Sequence, residues 1–407
     1  MMENKVSVET IIRGMRGLNK SRRDFLTHIL MLFLSIPGRI NFLQMGRYSD
    51  QYVESSCRLQ FEGAVDFASL NRSYVEQNGS GHYVLAFDPT YLTKSGKATP
   101  GLDKYWSGKA QQALWGLEGG LLSVIDVAHH TAFHLDVVQT PDKAERAAKD
   151  ISLAGHYAQV LIWNREHCQA LSSYVAVDGY FAKADFINPV LERTGLQVIS
   201  ALRQDANLYY LYTGAKKTGR GAPRKYDGKM DCKAPDLKRF ELQYADEQQR
   251  IWDGRVYCKF LQRIIRLAYV QYLNEQGEPQ SYQLLFSTDV NLPAWMIVRY
   301  YRARFQQEFL IRDAKQHTGL QQCQARSIHK IDYHWNVALT AVNVAKIEHW
   351  LHQDPKVRGS FSLATIKTLY YNRLLINRIF DNLPPNAQLL KNNPRIKHLY
   401  TLGAIAA

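Results

Sequence analysis

The chain reads as an α/β protein. A core with a mixed sheet is preceded by a helical region, interrupted by a mostly β insertion and followed by further helices. Three observations predict this. Between residues 81 and 202 short β-rich runs alternate with helical stretches, as in layered α/β domains. After residue 203 that alternation gives way to a basic, Gly-rich stretch and then to successive strand-like runs. The first 78 residues and those beyond 326 carry helical patterns instead.

In chain order, ETIIRGMRGL, an apolar run at 25–43 and SSCRLQFEGAVDFASLNRSYVEQ predict helices, and NGSG at 78–81 marks a boundary. HYVLAFD is a short β run ending in Asp88, and GLLSVIDVA (120–128) with TAFHLDVVQT (131–140) predicts a hairpin. The stretch beginning DKAERAAKD predicts one long helix or two. SYVAVDG (173–179) is a β run ending in Asp178; a helix near 181–193 and the strand LQVISAL follow. KKTGRGAPRKYDGKM is loop-like, RIWDGRVYCKFLQRIIRLAYVQYL reads as strands, and SYQLLFST (281–288) returns to the core. NLPAW opens a helix, with Pro293 suited to its first turn. Two amphipathic helices near 333–352 and 361–381 precede a polar tail. The expected organisation is a helical region over 1–80, a core over 81–202 and 281–325, an insertion over 203–280, and a helical region over 326–407.

Composition narrows the function. Hydrophobic residues make up 46% of the 407 and charged residues 22%, as in a folded protein. The formal charge, 51 − 37 = +14, suits a polyanionic partner, nucleic acid or an acidic membrane. The run at 25–43 contains His28 and is broken by Pro37 and Arg39, so it predicts a buried helix rather than a span of about 20 apolar residues. Glu3, Glu9 and Asp24 argue against a signal peptide. Five scattered cysteines without a CxxC pair argue against a zinc ribbon or disulfide framework. A cytoplasmic protein, with no membrane partner, is expected.

Asp88 and Asp178 are read at the C-terminal ends of their strands, where open α/β sheets place ligand sites. Glu308 lies in YYRARFQQEFLIRDAKQ (300–316). On one continuous helix, Tyr301, Arg304, Glu308, Arg312 and Lys315 fall within an arc of roughly 80°. The bland reading is a solvated face with ion pairs from Arg304 and Arg312 to Glu308, and a strand-end Asp, Asp126 included, is usually a cap. Three gathered carboxylates would repel one another unless cations neutralised them. Mg²⁺ suits such oxygen donors, and two ions about 3.5–4 Å apart serve phosphoryl transfer.

Tyr301, Arg304, Glu308 and Lys315 fit Y-(2)-R-(3)-E-(6)-K, the signature of bacterial insertion-sequence transposases of the IS-four type. A chance match is expected in about one such composition in three hundred. AFDPT (86–90) and VAVDGYF (175–181) resemble the motifs around that family's two catalytic aspartates, and GRGAPRKY (219–226) is similar to a basic loop in its β insertion. The resemblance implies a ribonuclease H-like core that cuts at the ends of a mobile element and joins the freed 3′-hydroxyls to target DNA. It also implies Asp88, Asp178 and Glu308 as catalytic metal ligands, for two Mg²⁺ ions with Mn²⁺ as a substitute. Tyr301, Arg304 and Lys315 would hold the DNA end. A homodimer on double-stranded DNA and a nucleoid-associated location follow from the same resemblance.

Weaker signals remain open. Arg220, Arg224 and Lys225, with Lys216, Lys217 and Lys229, form the densest basic stretch and are read as DNA contacts. Lys94 and Lys97, and the cluster Arg13, Arg16, Lys20, Arg22 and Arg23, are divided evenly between DNA contact and solvated surface. Trp106, Trp115, Trp335 and Trp350 are read as core or interface rather than base-stacking platforms. The alternatives to a transposase are a metal-dependent nuclease without strand transfer, a non-catalytic DNA-binding derivative, and an unrelated basic enzyme. The last lacks any Gly-rich dinucleotide or phosphate-loop motif.

Overall fold

Tyr83 to Phe87 are all buried, because the strand they open has a neighbour on each side. A computed structural model describes residues 6–214, 224–356 and 358–405. It shows a mixed α/β protein with helices at both ends of the described chain.

Among the described residues twelve strands form one sheet: β1 (Tyr83–Thr93), β2 (Asp103–Ser107), β3 (Gln112–Asp126), β4 (Thr131–Gln139), β5 (Tyr174–Ala176), β6 (Gln197–Leu202), β7 (Leu208–Leu211), β8 (Tyr226–Lys229), β9 (Glu241–Ala245), β10 (Gln249–Cys258), β11 (Arg263–Leu273) and β12 (Pro279–Ser287). The order is β2-β3-β1-β5-β6-β12-β11-β10-β7-β8, with β4 also beside β3 and β9 beside β10. β1, β5 and β6 run parallel; every other described pairing is antiparallel. The residues 203–280 thus extend the core sheet: β7 to β11 continue outward from β12, which lies between β6 and β11.

The hairpin expected around His129 and His130 is β3–β4. Its turn is locked by Asp126, whose buried carboxylate accepts from Ser80 N, Ser80 Oγ, His129 N and His129 Nδ1. The one or two helices expected after residue 141 are three, Lys143–Ala148, Leu153–Trp163 and Arg165–Leu171. Asp150, at φ 51°, separates the first two.

The apolar run near residue 25 forms the buried face of the Lys20–Ser35 helix, where Phe25, Leu26, Ile29, Leu30 and Phe33 are inaccessible. Among the described residues no helix is long and apolar enough to cross a membrane. The terminal helices share a core with the sheet. Asn71, on the Phe67–Asn78 helix, donates to Leu135 O on β4 and to Thr340 Oγ1 on the Ile328–Lys346 helix. Asn343 returns bonds to Asn71 Oδ1 and His134 O. Buried amides are costly unless satisfied, so this network fixes how the three elements sit together. All five cysteines are buried and free.

Candidate active site

Parallel pairing between β1 and β5 is short: Leu85 faces Val175 and Ala86 faces Ala176. Asp88 and Asp178 each lie two residues beyond that last pair, so the register brings both aspartates to one level where the strands part. Side chains two apart share a face of a strand, so Asp88 projects on the side of Ala86. The expectation that Asp88 ends its strand is corrected. β1 continues to Thr93 along β3, with Asp88 opposite Leu121 and Pro89 opposite Gly120. Pro89 is tolerated because β1 has by then lost its β5 neighbour and has become an edge on that side. Asp178 also has an ordinary task, since its Oδ1 accepts Tyr180 N at 2.8 Å and caps the one-turn helix Gly179–Phe181.

Glu308 reaches this region on a helix that departs from the expected one. The stretch divides into Ala294–Ala303 and Gln306–His317. The junction is closed by tight bonds from Phe305 N to Arg302 O, Gln307 N to Arg304 O and Glu308 N to Phe305 O. Gln307, fully buried, donates to Leu121 O and Ser123 Oγ on β3 and so pins the second helix to the sheet. The single 80° arc therefore does not exist. Tyr301 and Arg304 belong to the first helix and its end, Glu308 and Lys315 to the second.

Electrostatics nonetheless join these residues. Burial pushes the Asp88 carboxyl up to about 7, and neighbouring Asp178, Glu308 and Glu118 push the same way against Arg304. Burial raises the Tyr301 hydroxyl as well, with Arg304 opposing and Asp178 adding. The Arg304 guanidinium lies 5.6 Å from the Tyr301 ring centroid, and its buried Nε has no hydrogen-bond partner among the described residues. Lys315 Nζ donates to Tyr91 O at 2.9 Å; burial lowers its pKa to about 8 while Asp88 holds it up. The sequence-predicted Asp88, Asp178, Glu308, Tyr301, Arg304 and Lys315 thus occupy one neighbourhood, with Asp88, Asp178, Arg304 and Lys315 half-buried and Glu308 exposed. Among the described residues no three His, Cys, Asp or Glu side chains converge closely enough to hold a metal ion.

The chain matches no protein-family model and no curated protein.

Other expectations are revised. Arg304 and Arg312 form no ion pair with Glu308 among the described residues; Arg312 contacts Asp313 at 3.4 Å and lies over Phe309. Lys94 is engaged by two carbonyls, Cys323 O at 2.9 Å and Ala325 O at 2.5 Å. Arg22 closes the chain after the Glu54–Gln60 helix through Gln60 O and Gly63 O, and Arg23 bonds Met15 O, so those two cations are structural. Lys216, Lys217 and Arg220 lie outside the described residues. Arg224 pairs with Asp227 at 2.9 Å and lies over Tyr212. Arg224 and Lys225 precede β8, seven strands from β1, which at ~4.8 Å per strand is roughly 30 Å away. The structure does not bring them to the carboxylates. Trp335 is core, whereas Trp106 and Trp115 are exposed.

Two residues of this neighbourhood had no local signal. Gln307 stands inside the Y-R-E-K stretch as an ordinary polar residue, and Glu118 lies mid-strand in LWGLEGGLL. Only the pairing of Tyr91 with Glu118, near Lys315, places Glu118 close by.

Proposed function

We propose that this protein is a metal-dependent DNA phosphoryl transferase of the insertion-sequence transposase kind, built on a ribonuclease H-like core. The observation that carries the reading is the shared level of Asp88 and Asp178 past the last parallel pair of β1 and β5, with Glu308 within their field. The strand order β4-β3-β1-β5-β6, antiparallel through its first three strands and parallel through its last three, supports that core.

The donor set fits hard divalent cations. It is all carboxylate, and Asp88 is held up first by burial and then by Asp178 and Glu308, a repulsion that a bound cation relieves. Asp88, Asp178 and Glu308 would hold the ions once drawn closer together than they stand here, with waters and phosphate oxygens completing the coordination. Bound Mg²⁺ would supply an activated attacking oxygen and a stabilised leaving oxygen. The chain's own groups do the positioning. Arg304 offers a buried donor without a protein partner to a phosphate oxygen. Tyr301 is braced against Arg304, and Lys315 is held by Tyr91 O with its charge toward Asp88. Cleavage at an element's ends, joining to target DNA and pairing of two copies on the DNA belong to the same reading.

The test is cleavage of linear DNA carrying the element's terminal repeats, with Mg²⁺ or EDTA, by wild type and Glu308→Gln. Mg²⁺-dependent nicking at the boundary, lost in Glu308→Gln while DNA binding survives, is expected. Specific binding without cleavage under any divalent metal would instead favour a non-catalytic DNA-binding protein.

A further inference from the structure

Beyond Gly116, β3 leaves β1 and pairs with β2 alone, forming a two-stranded ribbon in which Lys104 faces Trp115 and Trp106 faces Ala113. One side of this ribbon is fastened. Tyr105 is buried, and its hydroxyl donates among the carbonyls of Gly101 at 3.0 Å, Thr140 at 3.1 Å and Pro141 at 3.3 Å. Ser107 is buried with it. The other side is open: Lys104 and Ala113 are exposed, and Trp106 and Trp115 are each 60% exposed. Exposed indoles on an anchored ribbon are preorganised for a partner, since the backbone that carries them is already held in place.

Register relates this side to the carboxylates. The β1–β3 and β2–β3 ladders run without a shift. Counting in twos, Trp115, Leu117, Gly119 and Leu121 share a face, and Leu121 lies opposite Asp88. Lys104, Trp106 and Trp115 therefore project on the Asp88 side of the sheet. Trp115 is about six residues of strand from the Asp88 level, ~20 Å, and Trp106 about eight, ~27 Å. A bonded path spans part of this distance, because Lys315 Nζ donates to Tyr91 O and Tyr91 Oη donates to Trp115 O at 2.8 Å.

Charge selects the partner. Lys97, Lys104 and Lys109 are exposed and in no ion pair among the described residues. The ribbon's one acid, Asp103, is occupied by the backbone N–H groups of Lys104 and Lys143. Three such cations at and beside the ribbon, on a chain of charge +14, repel a second copy and attract a polyanion. Indole faces flanked by cations are suited to unpaired bases, which stack on them without regard to sequence, whereas paired bases are already stacked.

We propose that the β2–β3 ribbon is a single-stranded DNA platform: Trp106 and Trp115 stack unpaired bases, while Lys97, Lys104 and Lys109 follow the phosphates of a strand leaving the carboxylate site. The inference rests on the DNA reading of that site and adds a place where the strand beside the cut is held open.

The experiment uses the full chain and fluorescence anisotropy with labelled oligothymidylate, against a duplex of the same length at fixed salt. Trp106→Ala and Trp115→Ala should each weaken oligothymidylate binding about tenfold, and the double variant roughly a hundredfold. Trp106→Phe with Trp115→Phe should restore most of it, and duplex binding should change less than about threefold. Circular dichroism and thermal midpoints matching wild type establish that the variants are folded. Equal weakening on the duplex would overturn the single-strand assignment. Unchanged binding to both DNAs would overturn the platform altogether; a halved solution mass in the same variants would then assign the ribbon to contacts between copies. Failure of the active-site reading is separately visible, as Mg²⁺-dependent cleavage that survives Glu308→Gln.

Discussion

β1 and β3 present a carboxylate on each face of the sheet, and the two live differently. Glu118 is opposite Tyr91, three residues from Asp88, so it projects on the face away from Asp88. Burial raises both acids. Glu118 is compensated by the protein: Tyr157 Oη donates to it at 2.6 Å, and its pKa is further restrained by Thr140 and Arg146. Among the described residues nothing donates a hydrogen bond to Asp88, whose surroundings include Asp178 and Glu308. A structural carboxylate is finished by neighbouring donors. One left among other acids is, on the function proposed here, completed by a cation or substrate, and burial alone does not tell the two apart.

The sharpest test of this contrast is catalytic. Asp88→Asn, Asp178→Asn and Glu308→Gln should each lower Mg²⁺-dependent DNA cleavage by roughly a thousandfold. Glu118→Gln, which keeps a hydrogen-bonding side chain, should stay within about threefold of wild type per folded molecule. Equal losses for Glu118→Gln and Asp88→Asn would erase the distinction.

Stability should show the reverse order. Glu118→Ala strands the buried Tyr157 hydroxyl and should cost about 1–3 kcal/mol in denaturant unfolding. Asp88→Asn should instead stabilise the metal-free protein at neutral pH by ~1 kcal/mol, after allowing for partial exposure to water. Mg²⁺ should raise the wild-type thermal midpoint and leave that of Asp88→Asn nearly unchanged.

The pH dependence follows from the same shift. With its pKa raised to about 7, Asp88 keeps in the native state a proton that the unfolded chain releases near pH 4. Metal-free stability should therefore fall as pH rises from about 4 to about 7 and level off above, with Glu118 acting in the same direction. Asp88→Asn should flatten its share of the slope in pH-resolved thermal melts. The smallest effect is expected for Arg312→Ala. Its exposed contact with Asp313 should contribute no more than about 0.5 kcal/mol, and cleavage should stay within about twofold of wild type.

The sequence made the strands around Asp88 and Asp178 legible because both sit in short apolar runs closed by polar residues. Their common level was not, since it depends on which residues of β1 and β5 pair. The continuation of β1 past Pro89 was hidden because proline usually closes a strand, and only the missing β5 neighbour makes it harmless. The division at Arg304 had no Gly or Pro to announce it; it accompanies the anchoring of Gln307 on β3, a tertiary contact. Lys94 and Arg22 looked like free surface charge, yet they serve backbone carbonyls remote in sequence. Trp106 and Trp115 read as core or interface residues by type, and their exposure follows only from β3 outrunning β1.

The position of β12 bears on the order in which the molecule can be made. The strands β4, β3, β1, β5 and β6 are complete once residue 202 has been synthesised, but the far edge of β6 pairs with β12, which ends at Ser287. At about 5–20 residues per second, those intervening residues take roughly 4–17 s to appear. For that interval a nascent chain carries an open, largely apolar strand edge, a target for misassembly or for a chaperone. Glu308 appears later still, so a growing chain holds both aspartates well before the residue proposed to join them.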